Sequence, residues 1–180
     1  MRRSANEAQM LVLKAVRGAG APLGAAEMLA RVVPDLSTAA WHELPTALRG
    51  PFPASRPYQE GGIVKFTKAR VLTCGVAALD IALSEDVDVH VLQVDAPEIT
   101  CALARYIEQA FGVTLSRLVI TDSTDRSIPV SRGSVPALST ADGIPDTVWR
   151  ALMEFAAKTY VAASEASRSG GAGAGLTDND

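Results

Sequence analysis

Residues 87–98 read VDVHVLQVDAPE, and this stretch decides the fold class of the 180-residue chain. Residues 87–94 are rich in Val and Leu, a composition typical of a buried β-strand. The next four residues, Asp95-Ala96-Pro97-Glu98, fit a capping box with proline in the first helical turn, where its missing N–H is harmless. The stretch therefore predicts a buried strand that leads directly into a helix.

The residues that follow predict the rest of a β-α-β unit. The helix is expected to run to Phe111 and to end at Gly112, because glycine readily adopts the left-handed conformation found after a helix. Residues 118–120 form the next predicted strand. Residues 122–125 then predict a turn, after which residues 128–131 pair back as a hairpin.

The start of the chain predicts a helical hairpin. Ser4 and Glu7 fit a first capping box, and apolar residues recur at helical spacing as far as Gly18. A second helix is expected from near Gly24 to Pro34, since proline cannot continue a helix. The two helices form the N-terminal part of the predicted domain.

The region between the hairpin and residue 87 mixes helices and strands. Residues 37–48 predict a third helix, and the proline-rich residues 50–61 predict an ordered surface loop. Residues 63–66 and 71–73 predict short strands, and residues 75–83 predict another helix.

The end of the chain predicts a last helix followed by a tail. The helix is expected from Pro145 to Ala163, after which the sequence turns to Ser, Gly, Ala and acidic residues. We therefore expect one globular domain over residues 1–168 and a Gly-rich acidic tail over residues 169–180. The predicted fold class is α+β or α/β, with an N-terminal helical hairpin, a small mixed sheet containing one β-α-β unit, and a C-terminal helix.

Composition narrows the class of protein. The chain is 48% hydrophobic and 21% charged, close to the globular average. Its net charge is −3, which argues against nucleic acid as the main partner. No secretory core and no run of about 18 apolar residues occurs, which predicts a cytoplasmic protein without a membrane partner. The two cysteines, Cys74 and Cys101, are too few for a disulfide framework.

The tail has the most unusual chemistry. Gly171, Gly173 and Gly175 leave backbone amides uncovered, so a phosphate or carboxylate could approach them, with Arg168 as a cationic neighbour. The alternative interpretation is a frayed, solvated chain end, because such segments are common.

The tail also contains candidate metal ligands. Asp178 and Asp180 alternate along the chain, so in an extended segment their carboxylates point the same way. They could share one Mg²⁺ or Ca²⁺ through oxygen ligands. Such acidic pairs also occur without any ion.

Three charged residues in the domain are further candidates for ligand binding. Arg17 is an anion ligand or only a cation favoured by the dipole at a helix C-terminus. Asp80 lies on an otherwise apolar helix, where a solvated aspartate is the plainer interpretation. Asp95 is a helix cap that also follows a strand, and α/β proteins bind ligands at the carboxyl ends of strands. His42 and His90 are isolated and are interpreted as structural.

Several motifs at both ends of the chain, and a few in its middle, form a recognisable pattern: Asn6-Glu7, Lys14-Ala15, Arg17-Gly18-Ala19-Gly20, Gly24, Ala26-Glu27, Gly75, Ala78-Leu79-Asp80, Pro145-Asp146-Thr147-Val148-Trp149, Thr159-Tyr160-Val161, residues 164–168 and residues 171–180. Together they resemble one known family, the bacterial domain of unknown function 3726. Ala162 stands where the family pattern has proline. The resemblance implies no activity, but it implies that a tail shared by the family is ordered or functional.

Two hypotheses of function follow. In the first, the protein binds an anionic metabolite or is a small catabolic enzyme, and the tail closes over a pocket that Arg17, Asp80 and Asp95 line. In the second, it is an accessory subunit whose tail docks into a partner enzyme. A homo-oligomer is compatible with both.

Overall fold

The computed structural model describes residues 4–53, 56–84, 87–130 and 143–159. Within these ranges the chain forms six α-helices and five β-strands. The helices are α1 Ala5–Gly18, α2 Leu23–Val32, α3 Thr38–Ala47, α4 Val76–Ser84, α5 Pro97–Phe111 and α6 Asp146–Ala157. The strands are β1 Tyr58–Glu60, β2 Ile63–Phe66, β3 Asp88–Val91, β4 Leu118–Thr121 and β5 Ser127–Ile128.

The sheet has five strands in the order of the chain, β1-β2-β3-β4-β5. The three central strands are parallel, and an antiparallel strand closes each edge. Helix α4 connects β2 to β3 and α5 connects β3 to β4, so there are two β-α-β units rather than the single one predicted. The mixed α and β class predicted from the sequence is confirmed.

Strand register places one face of the sheet in the core. Phe66 lies beside Val91, and Val91 lies beside Ile120. All three side chains are buried. Because side chains alternate along a strand, the residue before each of these three points to the opposite face of the sheet. Two of these preceding residues, Lys65 and His90, are partly exposed.

Helix α5 is the centre of the fold. It contacts β4 on one side and α2 and α3 on another. All residues from Ile99 to Ala104 are buried, including the polar Thr100. Because this stretch is buried on every side, it packs between two layers, which are the sheet and the N-terminal helices.

The crossing of α1 and α6 depends on Gly18. A Cβ atom at this position would lie 1.9 Å from the carbonyl oxygen of Phe155, so only glycine allows the two backbones to approach this closely. Gly20 then has φ +87°, a left-handed conformation that suits glycine at the end of a helix. The glycines of the Arg17-Gly18-Ala19-Gly20 motif therefore have structural roles.

Three sequence-based expectations about local structure need correction. Residues 71–73 do not form a strand, because Val71–Gly75 is a π-helical turn that leads into α4. The Arg70 carbonyl accepts hydrogen bonds from the N–H groups of Thr73 and Cys74, so the Thr73 N–H does not pair with a neighbouring strand. The expected loop over residues 50–61 contains β1, which Gly61 and Gly62 join to β2 with φ of 60° and 82°, the glycine-rich geometry of a two-residue hairpin turn.

The third correction concerns the last helix. It ends at Ala157 and not at Ala163. The Thr159 N–H and hydroxyl both donate to the Ala156 carbonyl, which tightens the final turn.

Among the described residues, no helix combines the length and the apolar composition that a membrane crossing requires.

Candidate functional site

The loops that follow the three parallel strands share an unusual backbone conformation. Lys68 after β2, Gln93 after β3 and Asp125 after β4 have φ of 47°, 52° and 61°. They are the only non-glycine residues with positive φ in the part of the chain that the structure describes. Such conformations cost about 1 kcal/mol or more and cluster at functional sites. The carboxyl edge of the parallel strands is therefore the candidate functional site.

The first two of these loops have the same construction. Lys68 and Gln93 each lie two residues beyond the end of their strand. Around them, the backbones of the two loops form hydrogen bonds with each other. The Ala69 N–H donates to the Leu92 carbonyl at 3.2 Å, and the Asp95 N–H donates to the Ala69 carbonyl at 3.0 Å. This pairing places Arg70, the residue after Ala69, beside Asp95.

Arg70 and Asp95 form an ion pair at this edge. The Arg70 Nε lies 3.4 Å from the Asp95 Oδ2. The alignment falls short of a hydrogen bond, since the buried Nε has no hydrogen-bond partner among the described residues. The other Asp95 oxygen, Oδ1, accepts a hydrogen bond from the Val71 N–H at 2.8 Å. Burial raises the pKa of Asp95, although the Val71 N–H and the Arg70 charge act against this shift.

Arg70 also binds the end of α3. Its Nη2 donates to the carbonyls of Ala47 and Arg49 at 2.8 Å and 2.7 Å. Its guanidinium lies 5.0 Å from the centre of the Phe52 ring. A cation at a helix C-terminus is stabilised by the helix dipole, so Arg70 fixes α3 to the sheet edge.

Glu43 replaces Asp95 as the cap of α5. The predicted capping box at Asp95 is wrong, because the N-cap residue is Ala96 and no side chain of the box caps the helix. Instead, the Glu43 Oε2 accepts hydrogen bonds from the N–H groups of Glu98 and Ile99 at 3.0 Å and 3.2 Å. A carboxylate is favoured at this position by the free amides and by the helix dipole.

Ionisation of the Glu43 carboxyl is nevertheless unfavourable. Its burial raises its pKa to about 7, and the charges of Glu98 and Asp95 add to this shift. The two amide hydrogen bonds lower the pKa but do not cancel the effect of burial. The edge therefore holds two neighbouring carboxyls with raised pKa values, which is typical of functional sites.

The third loop supports this edge. The buried Thr121 hydroxyl accepts from the Gln93 N–H at 2.9 Å, and the Gln93 side chain donates to Asp125 Oδ2 at 3.2 Å. Asp122 closes the turn, because its Oδ1 accepts from the N–H groups of Thr124 and Arg126. These bonds fix the backbone around Gln93 in its left-handed conformation.

The structure places the three candidate residues of the domain on different elements. Asp95 lies at the carboxyl edge, Arg17 is exposed in the last turn of α1, and Asp80 is exposed on α4. In the described ranges, no hydrogen bond or ion pair joins any two of them. Their participation in one pocket stays a prediction.

The candidate residues of the tail, Arg168, Gly171, Gly173, Gly175, Asp178 and Asp180, lie outside the described residues. Within those residues, no group of three or more His, Cys, Asp or Glu side chains could hold a metal ion. Cys74 and Cys101 are buried. Burial raises the pKa of Cys101 to about 12, so this thiol stays protonated at neutral pH.

Sequence reasoning missed Glu43 and Arg70. Glu43 acts across 55 positions of sequence, and nothing near it in the chain indicates this contact. Arg70 has a weak signal, because it lies four residues after the end of β2, as Asp95 lies four residues after the end of β3. A comparison of the two loops could have paired them.

The fold and this edge define a protein with a mixed sheet, two β-α-β units and two neighbouring carboxyls, Glu43 and Asp95, at the carboxyl edge of its parallel strands. The family model described as Protein of unknown function (DUF3726) matches residues 3–91. Residues 3–91 belong to this family, as the N-terminal motifs indicated. The match includes Glu43 and Arg70 and does not extend to the tail. No curated protein and no solved structure matches the chain.

Proposed function

We propose that the protein binds an anionic small molecule at the carboxyl edge of its parallel strands, where the anionic group replaces the Glu43 carboxylate at the N-terminus of α5. One observation supports this proposal above the others. A carboxylate already accepts hydrogen bonds from the Glu98 and Ile99 amides, so these amides are oriented to bind an anion.

Glu43 is suited to exchange with a ligand. Because its pKa is about 7, its carboxyl is partly protonated near neutral pH and then accepts hydrogen bonds less strongly. A phosphate or a carboxylate of ordinary pKa keeps its charge under the same conditions. The Arg70 guanidinium offsets the negative charge of Asp95, which reduces repulsion of an incoming anion.

The test compares Glu43→Ala with Glu7→Ala. Glu7 accepts a hydrogen bond from the Ser4 N–H at the start of α1, so it is a matched capping carboxylate on another helix. We expect Glu43→Ala to bind inorganic phosphate or succinate at least tenfold more tightly than the wild type, as measured by calorimetry, with shifts of the Glu98 and Ile99 amide resonances. Equal affinities in Glu43→Ala and the wild type would remove the proposal.

The same carboxyl supports an extension to catalysis. A group with a pKa near the working pH is suited to transfer a proton, and Glu43 has this property at a candidate ligand site. In a small catabolic enzyme, Glu43 would exchange a proton with the bound anion. Glu43→Gln keeps an oxygen acceptor but cannot titrate, so it would retain binding and lose turnover.

The sequence also predicts that the tail closes over the site. In that hypothesis the amides of Gly171, Gly173 and Gly175 and the Arg168 side chain hold the anion, and Asp178 and Asp180 polarise a metal or water. Deletion of residues 169–180 tests it. Unchanged ligand affinity in the shortened protein would contradict closure over this site.

A second candidate function is an accessory subunit of a cytoplasmic enzyme. The exposed side chains of Met10 and Met153 favour it, because flexible, apolar methionines are frequent on protein-binding surfaces. Co-purification of a partner enzyme from the native source would support this function, and a lone monomer would exclude it.

A further inference from the structure

A shallow apolar groove runs between α1 and α6, on a different part of the molecule from Glu43. Its volume is about 330 Å³. Met10 and Met153 line it and are 45% and 54% exposed. The other lining residues are Glu7, Leu11 and Lys14 from α1 and Ala156 and Ala157 from α6.

The sequence of both helices explains the groove. Gly18 brings α1 against Phe155 near the end of α6. Small side chains at Ala156 and Ala157 leave space between the two helices at the same end of α6. The long side chains of Met10 and Met153 form the rims, and methionine adapts to irregular partners.

The chain itself continues from this groove. Ala157, the last residue of α6, lines it, and residues 160–180 follow the last described residue, Thr159. In residues 164–180, Leu176 is the only large apolar side chain. The intervening chain extends up to about 3.3 Å per residue, which is far more reach than the groove requires.

We infer that residues 172–180 dock in this groove, with the Leu176 side chain between Met10 and Met153. The small residues before Leu176, from Ala172 to Gly175, allow a backbone to lie close to two helices. Asp178 and Asp180 follow Leu176, and the Lys14 side chain at the groove has the opposite charge.

Tethering favours this segment over a second copy of the protein. A segment attached to the adjoining helix has an effective concentration on the order of millimolar, which exceeds ordinary protein concentrations. Docking here holds the tail on the α1–α6 face and leaves the sheet edge open, so it is an alternative to closure of the tail over that edge. This inference is therefore independent of the function proposed for Glu43.

The experiment uses the full chain with ¹³C-methyl methionine and a nitroxide on Ala174→Cys; the native cysteines are buried. We expect the Met10 and Met153 methyl signals to broaden strongly and the Met28 signal, from α2, to broaden least. Adding Leu176→Ser should remove this difference. Equal broadening of all three signals in the presence of Leu176 would overturn the inference.

A mixing control separates the tail from a second copy. Spin-labelled protein without ¹³C is mixed with ¹³C-labelled protein without the nitroxide. We expect no broadening in the mixture. Broadening of Met10 and Met153 in the mixture, at a strength matching the doubly labelled chain, would show that another copy occupies the groove and would overturn docking within one chain.

Discussion

The Glu43 carboxylate accepts a hydrogen bond from the Ile99 backbone N–H at 3.2 Å, across 56 positions of sequence. This contact connects the helical layer to the start of the central helix α5. It also places a carboxyl with a pKa of about 7 at the carboxyl edge of the sheet.

Stability should depend on pH through Glu43. Its folded-state pKa of about 7 lies above the ordinary value of 4.5, so the folded state binds this proton more tightly than the unfolded chain. Its contribution is complete below about pH 4.5 and is lost as pH rises to about 7. In chemical denaturation, the difference in unfolding free energy between the wild type and Glu43→Gln should fall by about 1 kcal/mol over that range, allowing for partial solvent screening. A difference that is constant with pH would contradict the assignment.

Gly18→Ala should destabilise the protein strongly. The added Cβ would lie 1.9 Å from the Phe155 carbonyl oxygen, so α1 and α6 must separate, at a cost of about 2–3 kcal/mol. Gly24→Ala is the matched control, because Gly24 lies in α2 with no atom within 4 Å of its added Cβ. The control should be neutral or slightly stabilising in thermal denaturation, since alanine favours helix. Similar melting temperatures for the two variants would refute the close approach.

Arg70→Lys should weaken the attachment of α3 to the sheet edge. Lysine keeps the charge but cannot reproduce the planar arrangement of donors that reaches the Ala47 and Arg49 carbonyls. We expect a loss of about 2 kcal/mol in unfolding free energy. Arg126→Lys, at an exposed ion pair with Asp122, should have little effect. Equally small losses of unfolding free energy in Arg70→Lys and Arg126→Lys would show that the hydrogen bonds from Arg70 to the end of α3 do not stabilise the fold.

Lys68→Gly should stabilise the fold. Lys68 is exposed and has φ 47°, a conformation that glycine adopts with little strain, so relief of about 1 kcal/mol is expected. Thr67→Gly, at the preceding exposed position, should instead destabilise by increasing the entropy of the unfolded chain. Denaturant midpoints measure both. A destabilised Lys68→Gly would show that the side chain contributes more than the strain costs.

The sequence predicted the parts of the fold that depend on neighbouring residues. The capping box of Ser4 and Glu7 and the end of α5 at Gly112 were correct, because each is decided within a few positions. The strand predicted over residues 71–73 was wrong for the opposite reason. Their β-branched and apolar composition favours a strand, but the distant Asp95 side chain binds the Val71 N–H and helps fix the turn.

The candidate site was predictable only in part. Asp95 was identified because it follows a strand, but its role as a cap was wrong, since the carboxylate from Glu43 reaches the α5 amides instead. No local pattern reports that a residue on one helix caps another. Arg70 was missed because its partners, the Ala47 and Arg49 carbonyls, are backbone atoms that leave no mark in the sequence.

The strands lie in the sheet in the same order as in the chain, and this order affects how the sheet forms during synthesis. Each strand pairs only with the strands before and after it in the chain, so a ribosome-bound chain can add them one at a time as they are synthesised. The two outermost strands have three and two residues, and such short edges offer little template for aggregation with other molecules.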